Sequence, residues 1–141
     1  MARPKRLWAA VLLNVAAGGL SLAVLGLFVA KMVPVAGIRA TVGFVPDALI
    51  SGVLITASIF ALRGSGRSRW IALGTAVAFF GLHLIQSLWY YYHPSQVPFF
   101  DTPSLASNVE RAAIGIVVNL WGFLSDKTDA FFDAAAAPER L

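Results

Sequence analysis

The chain has 141 residues, of which 58% are hydrophobic and 13% charged, and its mean hydropathy is +0.75. Soluble domains are about 45–50% apolar and about 25% charged, so this composition excludes an ordinary soluble domain. The abundance of large apolar residues excludes a disordered chain. The class that remains is an integral membrane protein. The sequence has no cysteine, which excludes disulfides, thiolate catalysis and Cys-ligated zinc or iron–sulfur clusters.

Charged residues divide the chain into four largely apolar segments, each of which predicts a membrane-spanning helix. An α-helix rises 1.5 Å per residue, so about 20 residues cross a hydrocarbon core of about 30 Å. The predicted spans are residues 7–30, 44–62, 70–92 and 103–125, followed by a cytoplasmic tail at 126–141. The sequence therefore predicts a single all-α membrane domain, a bundle of four transmembrane helices.

The first span also resembles a signal peptide, because basic residues precede it. Its apolar segment, residues 7–30, is longer than the 7–15 residues of a signal-peptide core. Cleavage after Ala30 would also place the large Phe28 where a small residue is required. The segment is therefore interpreted as a retained span.

The fourth span is the least apolar of the four. Its uncharged part begins only at Ala112, and a full span requires a helix start at Thr102 and Pro103, which suit the N-cap and first helical positions. Glu110 and Arg111 then lie two turns inside the helix. We expect their long side chains to extend to the lipid headgroups.

The distribution of Lys and Arg predicts the orientation of the chain. Eight of these 11 residues lie before span one, between spans two and three, or after span four, and three lie in the other connections. Cytoplasmic loops carry the excess of positive charge, so both termini are predicted to be cytoplasmic. The net charge of +4 is therefore a topology signal, and we expect no binding of nucleic acid. The short loops and the Ala-, Gly- and Val-rich composition are typical of a bacterial plasma (inner) membrane protein.

Small residues recur at helical spacing in spans one and four and predict close helix packing. Helices in lipid associate through such residues because they let two backbones approach. The central members are Gly19, Ala23 and Gly26 in span one, and Gly115 and Gly122 in span four. Two interpretations are open, namely packing within the bundle or contact with a separate membrane protein or a second copy.

Span three carries a polar face that predicts either a packing contact or a pocket. His83, Gln86 and Tyr90 recur at spacings of three and four residues, and Asn119 of span four is expected at a similar depth. These four residues could hydrogen-bond across helices, or line a pocket or pathway for a small molecule or ion. A third interpretation is a haem with His83 as axial ligand, which would need a second histidine from another chain for bis-histidine ligation.

No catalytic constellation is evident in the sequence, and we expect no catalytic residue, cofactor or metal. No acidic residue lies deep in a span, and the serines lack a nucleophile-elbow motif. The leading hypothesis is a non-catalytic membrane protein acting through helix–helix contacts, as an accessory subunit or small interaction protein. The alternatives are a small-molecule or ion pathway along the polar face of span three, and a membrane-embedded enzyme or haem-binding subunit.

Overall fold

The computed structural model describes residues 3–93 and 102–136, and within these ranges the chain is helical, with no β-strand. Five α-helices and one 3₁₀ helix follow one another: α1 (Lys5–Ala36), the 3₁₀ helix (Ile38–Phe44), α2 (Val45–Leu62), α3 (Gly66–Tyr92), α4 (Thr102–Phe123) and α5 (Asp126–Ala136). Three segments are long and apolar enough to cross a membrane, namely α1, residues 41–62 and α3. The all-α class is thereby confirmed. Helix α4 is not among these three segments, so the fourth span stays a prediction.

Helix α1 extends six residues beyond the predicted end of span one. Lysine is a good helix former, so a single charge at Lys31 does not end a helix. The helix ends where Gly37 adopts a φ of 75° and donates its N–H to the Val33 carbonyl at 3.0 Å. Glycine tolerates this positive φ because it has no Cβ.

The first four α-helices form a closed ring in which α1 and α3 each pack against both α2 and α4. Neighbours in the ring are antiparallel; for example, Asn14 and Ser21 of α1 form hydrogen bonds with Ser58 and Ser51 of α2, respectively. A Cβ at Gly18 of α1 would lie 2.9 Å from Ile55 Cγ1 of α2, and one at Gly122 of α4 would lie 2.8 Å from the Arg6 carbonyl oxygen of α1. These glycines permit the close approach that packing in lipid requires.

The apolar core is concentrated at the end of the bundle where α1 and α3 begin, which we call the α5 end. Its larger cluster includes Leu7, Leu73, Phe123, Phe131 and Phe132. A smaller cluster of Leu54, Ala76, Phe79 and Phe80 lies halfway along the bundle. The opposite end, which we call the open end, contains neither cluster.

Helix α5 covers the α5 end and was not predicted as part of the packed core. The sequence predicts a cytoplasmic tail, whereas Phe131 and Phe132 are buried against the bundle. Thr128 Oγ1 donates to the Gly122 carbonyl at 2.7 Å, and Arg69 of α3 forms an ion pair with Asp129. The segment has only two large apolar side chains in 11 residues and a mostly polar or small remainder, so its composition resembles a solvated tail and the docking was not predicted. Residues 137–141 of the predicted tail lie outside the described residues.

Candidate small-molecule site

A cleft of about 590 Å³ lies between the helices in the open half of the bundle. The last buried residue of α1 is Gly18, the last of α3 is Phe80, and the first of α2 is Ser51. Beyond these levels α1, α2 and α3 have no buried residue among those described, whereas α4 still has Ala112 and Leu105 buried against the cleft. The cleft is therefore lined by all four helices of the ring and by the end of the 3₁₀ helix.

Three of the four residues of the predicted polar pocket line this cleft, namely His83, Gln86 and Tyr90. They share one face of α3 because their spacing of three and four residues matches the helical repeat. The same face carries Ala76 and Phe79, which are buried in the core, so it points toward the interior of the ring. The interpretation of this face as a pocket lining therefore has a geometric basis.

Asn119 is the exception, because it lies in the packed core and not in the cleft. Its side chain is completely buried, and its Oδ1 accepts a 2.8 Å hydrogen bond from Asn14 Nδ2. Asn14 Nδ2 also donates to Ser58 Oγ at 3.0 Å. The prediction that Asn119 lies at the depth of His83 was wrong. Gly115 contacts Phe80, and Asn119 lies one turn from Gly115 toward the α5 end, whereas His83 lies one turn from Phe80 toward the open end. Asn14, Ser58 and Asn119 join α1, α2 and α4.

His83 forms its hydrogen bond within its own helix and not across helices. Its Nδ1 lies 2.8 Å from the Phe79 carbonyl oxygen, and its ring packs on the Phe79 ring with centroids 4.5 Å apart. A carbonyl can only accept, so Nδ1 carries the proton in this bond. In a neutral imidazole, Nε2 is then an acceptor, and it has no hydrogen-bond partner among the described residues. His83 thus presents a polar atom that a bound molecule can use.

The cleft also contains two charged residues that the sequence analysis did not assign to a pocket, Asp47 and Arg111. Arg111 lies one turn from Gly115, and a Cβ at Gly115 would overlap the Phe80 ring. Since His83 lies about one turn from Phe80 in the same direction, Arg111 and His83 are at a similar level. Across residues 3–93 and 102–136, neither Asp47 nor Arg111 forms an ion pair.

The two tryptophans of α3 provide a reference for the level of these groups along the helix axis. Trp70 and Trp89 are both largely exposed and lie about 28 Å apart along the helix axis, which matches the distance between two aromatic belts. His83 is about 5 Å beyond their midpoint. If α4 crosses the membrane as predicted, a charged arginine at this level is costly unless it faces water or a ligand, and such a residue is a signal for a functional site. The position of Arg111 inside predicted span four is therefore the signal that sequence analysis could have used.

The small-residue strips of α1 and α4 have different environments. Gly115 and Gly122 of α4 are buried against Phe80 and against Ala10, respectively. Gly19, Ala23 and Gly26 of α1 are exposed, and a Cβ at either glycine would meet no atom within 4 Å. Within one chain the α1 strip is uncovered, so its role in packing stays a prediction about a second chain.

The described residues contain no cluster of three His, Asp or Glu side chains that could hold a metal ion. His83 lies within α3 and His93 is its C-cap, about 15 Å away along the helix axis, so one chain cannot place both histidines on one haem. Comparison of the chain with models of protein families, with curated proteins and with solved structures finds no match.

Proposed function

We propose that this chain is a non-catalytic four-span membrane protein that binds a small amphiphilic molecule in the cleft. The observation that carries the proposal is the cleft itself, which has His83 and Arg111 at hydrocarbon depth and otherwise largely apolar walls. Small-molecule sites are typically clefts of about 300–1,000 Å³ with mainly apolar linings and a few polar groups.

The proposed topology has α4 as the fourth span and both termini in the cytoplasm. Helix α4 has 22 residues, which is about 33 Å and long enough to cross the hydrocarbon core. It packs along α3 and α1, and the guanidinium of Arg6 lies 4.7 Å from the ring centroid of Trp121, near the end of α4. The Lys and Arg excess at the α5 end supports the orientation, and the composition favours a bacterial plasma membrane.

The experiment is an analysis of the small molecules that copurify with the protein in mild detergent. Ser87 lines the cleft and its neighbour Leu88 does not. Ser87→Phe should fill the cleft and remove a specific copurifying compound, whereas Leu88→Phe, which places the same ring outside, should retain it. Solvent extraction and mass spectrometry measure both. If the two variants carry the same compounds as the unmodified protein, the cleft is not a binding site.

A second candidate function is contact with a membrane protein partner or a second copy through the α1 strip. The specific observation in its favour is that the strip is exposed and smooth along the helix, with open space above Gly19 and Gly26. Such surfaces allow helices to approach closely in lipid. This function describes an accessory subunit or small interaction protein.

Substitution of one strip glycine tests this second candidate. Gly19→Leu should abolish a stoichiometric complex or homo-oligomer isolated in mild detergent, because the leucine prevents close approach. Gly74→Leu on α3, where a Cβ also has open space, is the matched control and should leave the complex intact. If the unmodified protein and both variants are monodisperse monomers, this candidate function is wrong.

A further inference from the structure

The floor of the cleft limits where the apolar part of a ligand can lie. Phe79 and Phe80 line the cleft and are buried, and Phe80 lies against Gly115. Arg111 is one turn beyond Gly115 toward the open end. The apolar side chains that α1 contributes to the cleft continue from the level of Arg111 to the open end, and they are Leu20, Val24, Leu25 and Phe28. The apolar part of a bound molecule must therefore lie between Arg111 and the open end.

The two charged residues of the cleft lie at successive levels. The hydrogen-bonded asparagines join α1 to α4, and about two turns from them toward the open end lie Ser21 on α1 and Arg111 on α4. Ser51 of α2 donates to Ser21 Oγ at 3.2 Å, so Ser51 and Arg111 are at nearly the same level. Asp47 precedes Ser51 by one turn of α2. The carboxylate of the cleft is therefore about one turn nearer the open end than the arginine.

These two charges favour a ligand that carries both signs. Arg111 and Asp47 belong to different helices and form no ion pair within residues 3–93 and 102–136. A bound molecule with a single charge would satisfy one of them and leave the other beside the apolar wall of α1. An uncompensated charge next to an apolar surface is costly.

Aromatic side chains surround the mouth of the cleft. Phe28 is seven residues beyond Ser21 on α1, and Tyr90 is seven residues beyond His83 on α3, so both lie about two turns nearer the open end than these two polar residues. Phe44 of the 3₁₀ helix lies against Phe28, with ring centroids 6.4 Å apart. We call Phe28, Phe44 and Tyr90 the aromatic layer. From the floor outward, the cleft thus presents a cation, a carboxylate and aromatic rings.

We infer that the cleft binds an aromatic α-amino acid, with its carboxylate on Arg111, its ammonium group on Asp47 and its ring in the aromatic layer. Both charged groups of such a molecule are attached to one carbon atom, and the ring extends away from them, which is the order that the cleft requires. The length of the arginine side chain makes up the remaining difference in level.

The side chains of the cleft match the hydrogen-bonding groups of this ligand. A planar guanidinium suits a carboxylate because it donates two parallel hydrogen bonds. An ammonium group has three N–H donors, and the Nε2 of His83, at the level of Arg111, is an acceptor for one of them beside the Asp47 carboxylate. Aromatic rings attract one another in offset and edge-to-face arrangements, which favours an aromatic side chain at the mouth.

This inference rests on the proposed function of the cleft, and a series of defined compounds tests it separately. Binding of radiolabelled L-phenylalanine to the purified full-length protein in maltoside detergent is measured by equilibrium dialysis, with unlabelled compounds as competitors. 3-Phenylpropionate lacks the ammonium group, phenethylamine lacks the carboxylate, and L-leucine lacks the ring. We expect saturable binding of L-phenylalanine, and each competitor should bind at least about tenfold more weakly because it leaves one part of the cleft unsatisfied.

Two charge-neutralising variants assign the two polar contacts. Arg111→Gln should remove the preference for L-phenylalanine over phenethylamine, because the carboxylate loses its cation. Asp47→Asn should remove the preference over 3-phenylpropionate. The matched controls are Glu110→Gln and Arg39→Gln, which change exposed residues outside the cleft and should leave both preferences intact. Thermal melting without added ligand establishes that each variant is folded.

A third pair of variants tests the aromatic layer. Phe28→Leu should reduce the preference for L-phenylalanine over L-leucine, because a ring contact at the mouth is lost. Phe60→Leu changes an exposed ring of α2 that does not line the cleft, so it should leave this preference unchanged.

The possible failures are distinguishable. If L-phenylalanine does not bind saturably, but Ser87→Phe removes a copurifying compound that Leu88→Phe retains, the proposed function stands and the amino-acid inference is wrong. The inference is also wrong if 3-phenylpropionate or phenethylamine competes as strongly as L-phenylalanine, or if Ser87→Phe binds L-phenylalanine as tightly as the unmodified protein. If Ser87→Phe and Leu88→Phe carry the same compounds as the unmodified protein, the proposed function itself fails.

Discussion

Asn14 illustrates how one polar side chain can specify the arrangement of three helices. Its amide nitrogen donates to Ser58 on α2 and to Asn119 on α4, and its own Oδ1 has no partner in the described part of the chain. A polar side chain has few partners in lipid, so alternative rotations of α1 that remove these bonds are disfavoured. The residue therefore fixes the face of α1 that points inward.

We predict that Asn14→Leu destabilises the bundle by about 1 kcal/mol, because interhelical hydrogen bonds in membrane proteins average about 0.6 kcal/mol each. A double-mutant cycle with Asn119→Leu should give a coupling of about 0.6 kcal/mol between the two sites. Reversible unfolding in mixed micelles measures both quantities. Thr75→Val is the control, because the Thr75 hydroxyl bonds only within its own helix, to Ile71, and its effect should stay within about 0.5 kcal/mol. Additive effects of the two asparagine variants would contradict a shared contact.

His83 provides a second prediction for a single residue. Because its hydrogen bond is intrahelical, His83→Gln should leave the melting temperature close to that of the unmodified protein. Ligand binding in the cleft should weaken, because glutamine lacks the imidazole ring whose Nε2 can accept a hydrogen bond from a bound molecule. The affinities of both proteins for the same copurifying compound are the measurement. Identical affinities would show that His83 does not contact the ligand.

Among the helices, α5 is held to the bundle by its two phenylalanines, by the Thr128 hydrogen bond and by one charged contact. Arg69 is 7% exposed, and its guanidinium pairs with Asp129 and lies 5.3 Å from the ring centroid of Phe132. Asp129 is half exposed, so water weakens the ion pair. The arginine nonetheless contributes apolar contact along its stem in addition to charge.

We predict that Arg69→Met loosens α5 without unfolding the ring of helices. Backbone amides of residues 126–136 should exchange with deuterium roughly tenfold faster, which corresponds to about 1.4 kcal/mol of local stability. Amides of α1–α3 should be unaffected. Arg67→Met, at an exposed position in the same turn of α3, is the control and should behave as the unmodified protein. Unchanged exchange in Arg69→Met would show that the phenylalanines and the Thr128 hydrogen bond hold α5 without the ion pair.

Much of the helical organisation was predictable because hydropathy and charge act along the chain. The inward direction of the polar face of α3 followed from helical periodicity, and His83, Gln86 and Tyr90 line the cleft. The choice between Gly18 and Gly19 as the packing residue of α1 was not predictable. A rotation of about 100° separates them, and Asn14 decides it through partners on two other helices. The position of Arg111 in the cleft likewise depends on the level at which α4 packs against α3.

For the whole molecule, the bundle places the beginning of α1, the turn between α2 and α3, and the end of α4 together at one end. Most positively charged residues of the chain belong to this end. The positive-inside rule therefore applies to one surface, and one orientation of the whole bundle satisfies it.

We predict that a reporter active only outside the cytoplasm is silent when fused after Leu141 and active when fused at Ser95. The measurement is reporter activity in intact cells, with expression of both fusions checked by immunoblotting. An active fusion after Leu141 would mean either that α4 does not cross or that span one is removed. The mass of the mature chain distinguishes these two causes.

The length of α1 has a consequence for how the protein responds to its membrane. Its uncharged segment, residues 7–30, extends about 36 Å, whereas a typical hydrocarbon core is about 30 Å thick. Such hydrophobic mismatch is relieved by tilting the helix or by deforming the bilayer, at a fraction of a kcal/mol per Å. The part of α1 that would tilt most freely is the segment beyond Gly18, where no residue is buried, and this segment forms one wall of the cleft. A thinner bilayer would therefore change the width of the cleft without any change in its residues.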